Sequence, residues 1–213
     1  MHAPIVPPFA VREGITARVL LFTGHMVDTP DRPANKPRFP RTAKAEQTAR
    51  QLIEDAIQAE IVDETGLVMG IASGANGGDI LFHEACHRLG VHTAVYLALP
   101  QDLFLAASVG PGGSDWVERY RTLSSRVPPH VLQTEARLPD WLTDRPDYTV
   151  WQGCNYWMLM CAVATGAKRQ SLIALINPDQ DGNGAGGTND FVKLAKERGV
   201  KVVELDARAL LVE

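Results

Sequence analysis

A chain of 213 residues and 23.2 kDa is long enough for one full core and too short for two ordinary domains without a clear linker. Its composition, 45% apolar and 22% charged, is globular, and a net charge of −4 with a pI near 5.9 gives no basic field to attract a polyanion. Nucleic acid is therefore not the expected partner. Cys86, Cys154 and Cys161 form an odd set without CxxC spacing, which argues against a disulfide framework or a zinc knuckle and fits a reducing, cytoplasmic compartment. The start, MHAPIVPPFAVREG, lacks a charged segment followed by an apolar one, so no secretory signal is expected. The most apolar later stretch, 148–166, carries Gln152 and Asn155 and falls short of a bilayer span, so no membrane partner is expected.

In chain order, residues 1–16 with their three prolines read as an arm, and residues 17–213 as a single domain. The apolar run Ala17 to Thr23 predicts a buried parallel strand ending at Gly24-His25. Asp28 to Pro40 holds four prolines and predicts a long loop at that strand's carboxyl end. Apolar residues at helical spacing predict a helix over 42–65 with Thr42 as its cap. Leu67 to Ala72 is a second buried strand, Asp79 to Leu89 a helix stopped by Gly90, and His92 to Leu99 a third strand. Further on, the pattern predicts a short helix over 102–108, a turn at Pro111-Gly112-Gly113, a helix over 115–126 and a strand at 131–133. An apolar helix over 148–165, a strand over 171–176, a helix over 191–198 and a last strand over 201–205 complete the chain. Strands alternating with helices imply right-handed crossovers, and so an α/β fold with a mainly parallel sheet covered on both faces.

Two glycine-rich segments, each between a buried strand and a helix, carry the functional signal. The first is Ser73-Gly74-Ala75-Asn76-Gly77-Gly78-Asp79. Glycines there let the backbone turn sharply, and free amides at the helix start with the helix dipole make an anion site. The alternative is a tight strand-to-helix turn with Asp79 as cap. No lysine follows the glycines, so this is not a Walker A loop. The second segment, Gly182 to Asp190, contains Gly186, Gly187 and Thr188. If both strands lie where the strand order reverses, both loops border one crevice and hold a phosphate-bearing ligand between them.

Asp179, Asp181, Asn183, Gly184 and Asp190 match a calcium-loop pattern, but Pro178 and the strand-like 172–176 bar the entering helix, and calcium is not expected. Asp79, His83 and His87 share one helix face at i, i+4 and i+8; with Leu81, Phe82, Ala85, Cys86 and Leu89 opposite, that face reads as the solvated side, and no metal is expected. Asp79, at the helix start, caps the turn or receives a ribose hydroxyl. Glu84, at the border of the polar face, is the best-placed acid if the cleft needs one. His25 serves a phosphate or base, or a structural hydrogen bond. Asn155, inside an apolar helix, ties a loop or touches ligand. Trp116, Trp151, Tyr156 and Trp157 read as core, with one of them free to stack on a base.

With these residues in hand the chain resembles the SLOG superfamily, Rossmann-like domains grouped with the LOG phosphoribohydrolases and with nucleotide-sensing domains of defence and channel proteins, and looks closest to a bacterial branch in which such a domain stands beside signalling or repeat domains. The resemblance spans nearly the whole chain. Its pieces are Phe22 to Met26, Ala72 to Ala75, Gly78 to Phe82 with Glu84-Ala85, Leu99-Pro100 with Phe104 and Ser108-Val109, and Gly186-Gly187-Thr188. It implies a Rossmann-like three-layer sandwich with a pocket for a nucleotide or phosphoribosyl ligand, the Gly-Gly-Thr loop at the phosphate and Gly24, His25, Ser73, Gly74, Gly77, Gly78 and Asp79 nearby. LOG enzymes carry P-G-G-x-G-T-x-x-E, whose Glu serves N-glycosidic hydrolysis. Here Ala185 replaces the proline, one spacer is missing, and Phe191 stands where the Glu would be. The expectation is thus a sensor or signalling module, working as a homodimer or with a partner and needing no cofactor. The alternative is an N-glycosidase in which Glu84 or Asp190 supplies the acid.

Overall fold

The computed structural model describes residues 16–132, 148–179 and 184–212. The arm before residue 16, Gln133 of the expected fourth strand, and Asp181, Gly182 and Asn183 of the calcium-like pattern lie outside them. The chain runs β1 (Thr16–Gly24), α1 (Ala43–Ile61), β2 (Leu67–Ala72), α2 (Gly78–Arg88), β3 (His92–Leu97), α3 (Gln101–Phe104), α4 (Ser114–Arg126), β4 (His130–Val131), α5 (Val150–Ala164), β5 (Arg169–Ile176), α6 (Thr188–Glu197) and β6 (Lys201–Asp206). Between α3 and α4 lie one wide π turn, Leu105–Val109, and a 3-10 turn, Gly110–Gly112. A 3-10 turn at Ala207–Leu211, unmarked by any sequence signal, closes the described chain.

The six strands form one all-parallel sheet in the order β4-β3-β2-β1-β5-β6. Helices α1, α2 and α4 pack together, as do α5 and α6, giving the helix-sheet-helix sandwich expected from the sequence. Central strands covered on both faces must be apolar throughout. Val19, Leu20, Leu21 and Phe22 of β1 are accordingly buried, as are 172–176 of β5, whereas the edge strand β6 is half-exposed. The apolar stretch around α5 is a helix opened by a reciprocal cap, Thr149 with Gln152. Among the described residues no helix is long and apolar enough to cross a membrane.

Two boundaries differ from expectation for local reasons. Strand β4 starts at His130, directly after Pro128-Pro129, and pairs only with Tyr96 and Leu97 of β3. Helix α6 starts at Thr188 because Gly187, in extended conformation, is its cap, so Thr188, Asn189 and Asp190 form its first turn.

At the amino ends of the strands the buried Arg18 of β1 reaches Glu60 and Glu64, and Ser171 of β5 joins the same cluster. Its charges are mutually satisfied, as buried ions require. This leaves the carboxyl ends of the strands as the chemically open side of the sheet.

Candidate functional site

Strands β1 and β5 are neighbours, yet the chain leaves β1 toward β2 on one side and β5 toward β6 on the other. Loops at their carboxyl ends therefore diverge and leave a crevice, the place where open α/β sheets bind ligands. A cavity of about 260 Å³ occupies it. Its floor is Phe22, Thr23 and Gly24 of β1; Ser73 and Asp79 form one wall, Ala185 to Thr188 another, and Trp151, Asn155 and Met158 of α5 face Phe104 and Ser108.

The first glycine-rich loop is held from within. Asn76, fully buried, accepts the Val27 amide on Oδ1 at 2.9 Å and donates from its own amide and from Nδ2 to the Ser108 carbonyl at 2.9 and 2.8 Å. The π turn thus presents one carbonyl to two donors, a local distortion with a structural use. The Ala75 amide donates to Asp79 Oδ2 at 3.2 Å, that of Gly78 to the His25 carbonyl at 3.1 Å and that of Ile80 to the Ala75 carbonyl at 3.4 Å. These amides are engaged inside the protein. Of the loop glycines, Gly77 has φ +85 and would carry a Cβ 2.7 Å from the His25 carbonyl, while Gly74 packs on Tyr120 and Gly78 on Phe22 and Gly24. The close approach that requires these glycines is to the protein's own chain. Replacing Asn76 by Ala removes both side-chain hydrogen bonds from a buried site, leaving the Val27 amide without its partner, and should destabilise the fold by about 3 kcal/mol in a denaturant titration; a loss within the error of that measurement would show that the clasp does not hold the loop.

The described part of the second loop is also tied to the chain, its Gly187 amide donating to the Gly184 carbonyl at 3.0 Å. Gly186 (φ +83) would bring a Cβ to 2.4 Å from that of Trp151, and its carbonyl accepts Asn155 Nδ2 at 3.0 Å. Asn155, half-buried, thus ties the loop to α5 and also lines the crevice, combining the two roles its sequence position left open. Asp190 turns back, its Oδ2 accepting the Gly186 amide at 3.1 Å, and Phe191 is buried in the core. Among the described residues no side chain caps α6, so with them its first-turn amides at Thr188, Asn189 and Asp190 remain available beside the buried Thr188 side chain.

The remaining predicted residues divide between the crevice and its surroundings. Gly24, Ser73, Asp79, Asn155, Gly186, Gly187 and Thr188 come together around the cavity. His25 stands behind it, its Nε2 accepting the Asn177 amide at 2.9 Å and so joining the ends of β1 and β5. Burial, with the nearby Arg38 and Arg32 charges, lowers its pKa to about 4, so the ring is neutral. Glu84 faces away from the cavity: Arg119 meets both its oxygens at 2.7 Å and Arg50 approaches at 3.2 Å, a cluster linking α1, α2 and α4. The face carrying Asp79, His83 and His87 is not the solvated side of α2. His83 is 2% exposed, with Nε2 2.8 Å from the Ser73 carbonyl, and only His87 is exposed, because α4 packs over this side of α2. Burial also lowers the His83 pKa to about 4.

Asp79 is the one carboxylate lining the cavity among the described residues, and no Lys, Arg or His lines it with them. The residue is 8% exposed, and burial raises its pKa to about 7 against the opposing pull of the Ala75 amide. Sequence reasoning did not name Thr23, Phe104 or Met158 as site residues: Thr23 and Phe104 fall in segments that carry the resemblance, and Met158 sits in an apolar helix pattern that signals only core. Trp151, read as core with an option to stack, does line the crevice. No protein-family model matches this chain, and no curated protein does.

Proposed function

We propose that the chain is a nucleotide-binding module of the SLOG type, a sensor in the cytoplasm that reports occupancy to a partner or to a second copy of itself. The observation that carries this reading is the crevice at the reversal of strand order, bounded on one side by the uncapped start of α6 and on another by Trp151. Open helix-start amides and the helix dipole suit a phosphate, with the Thr188 hydroxyl beside it. Trp151 offers a face for a base. Gly24, Ser73 and Asn155 are the further contacts, and Asp79 takes a hydroxyl or amino donor.

Sensing is favoured over N-glycosidic hydrolysis because neither acid suggested for that chemistry faces the cavity. Glu84 is engaged by Arg119 and Arg50, Asp190 by the Gly186 amide, and Phe191 stands where LOG enzymes carry their Glu. Incubation with nucleoside 5′-monophosphates should therefore release no free base in excess of a heat-denatured control, as followed by chromatography.

A thermal-shift screen of a nucleotide panel tests the reading directly. A ligand at 100 times its dissociation constant should add roughly 2.7 kcal/mol of stability. If no phosphate-bearing compound moves the melting temperature, the proposal fails.

A further inference from the structure

Resting on that reading, we infer that the crevice selects a ligand with a single negative charge, a phosphodiester such as a cyclic mononucleotide, over terminal monophosphates and polyphosphates, and that Asp79 is the residue that makes the selection. Three observations converge on it.

The first is the charge of the lining. Among the described residues the cavity has no cationic side chain, so the positive potential offered to a phosphate comes from helix starts, that of α6 at Thr188 and that of α2, whose own Asp79 carboxylate offsets it. A helix start is worth about half an elementary charge. That balances a monoanion far better than a monoester dianion or a triphosphate.

The second is Asp79 itself. Its Oδ2 accepts the Ala75 amide, and Oδ1 has no partner among the described residues although the side chain is more than nine-tenths buried and lines the same cavity as Thr188. An ionised carboxylate in a dry crevice repels each added negative charge on the ligand, and like charges brought together across an interface are strongly disfavoured. The same oxygen accepts from a neutral donor, a sugar hydroxyl or a base amino group. Of the other titratable groups around it, Cys154 on α5 lines the crevice as a thiol kept neutral by burial. His25 is tied to the Asn177 amide, His83 to the Ser73 carbonyl and Asp190 to the Gly186 amide, so none of them neutralises Asp79.

The third is size. A cavity of about 260 Å³ lies at the lower edge of ligand sites. One sugar, one phosphate and one base fill it, and a second nucleoside would extend beyond its mouth.

The test measures dissociation constants by calorimetry at pH 8, where Asp79 is ionised, for the 3′,5′-cyclic mononucleotides of adenine, guanine, cytosine and uracil and for the matching 5′-monophosphates. The wild-type chain should bind at least one cyclic compound about tenfold more tightly than its monophosphate. Asp79→Asn should remove that preference by strengthening the monophosphate, and Asp79→Ser should do the same, which secures the comparison if one variant folds poorly. Thr188→Val should weaken both ligand types alike. A wild-type chain that binds monophosphates as well as cyclic compounds, or a preference that survives both Asp79 variants, overturns the inference while leaving nucleotide binding intact. Binding of neither class overturns the proposed function along with it.

Discussion

Replacing Gly77 by Val is expected to destabilise the fold itself rather than to remove ligand binding alone. Gly77 has φ +85, a conformation closed to β-branched residues, and its added Cβ would lie 2.7 Å from the His25 carbonyl oxygen and 3.0 Å from the Val27 amide nitrogen. Both neighbours are backbone, so no rotamer change relieves the contact, and the strand-to-helix turn must move away from the β1 loop that Asn76 also holds. Strain and overpacking together should cost roughly 3 kcal/mol or more. Gly90 is the control. It has φ +70 but nothing within 4 Å of an added Cβ, so Gly90→Ala should cost about 1 kcal/mol through backbone conformation alone. Circular-dichroism melts of the two variants separate the cases. A Gly77→Val protein that melts like wild type but has lost its ligand would mean that this glycine serves the ligand after all.

Asp79→Asn is expected to stabilise the protein by about 4 kcal/mol at pH 8. Burial raises the Asp79 pKa to about 7 from an ordinary 3.8, so between these values the folded chain holds a proton that the unfolded chain has released. The stability contributed by protonated Asp79 is complete below about pH 4 and is lost as pH rises through 7. The gain from Asn should follow this curve: absent near pH 4, growing through neutrality, level at pH 8. The amide keeps an oxygen for the Ala75 N–H. His25 and His83 titrate in the opposite sense. Their lowered values, each about 4 against 6.5, make the fold lose stability as pH falls from 6.5 toward 4. They do so in wild type and variant alike and cancel in the difference. Denaturant titrations at pH 4, 6 and 8 give the comparison, and a variant less stable than wild type at pH 8 would show that the native carboxylate has a stabilising partner. A residue that weakens the fold and faces the cavity is a characteristic of functional sites.

The sequence by itself determined the layer architecture of this protein. Apolar runs such as 19–22 and 172–175 are buried on both faces, and their alternation with helical periods leaves few arrangements other than a covered parallel sheet. It also marked the two strand-to-helix loops, because glycine clusters between such elements are legible without any structure. What the loops do was decided only by tertiary contacts. As strings of residues the two loops are alike, and in both a glycine cap leaves the helix start without a side-chain hydrogen bond, but only the first is clasped from within by Asn76 and the π turn. Side-chain direction was equally hidden. Helical spacing assigned His83 and Glu84 to a polar face, but α4 covers that face, burying His83 and supplying Arg119 to Glu84. Periodicity reports which residues share a side of a helix. What packs against that side depends on strand order, and the order that brings β1 beside β5 is set by long-range pairing that no local pattern encodes.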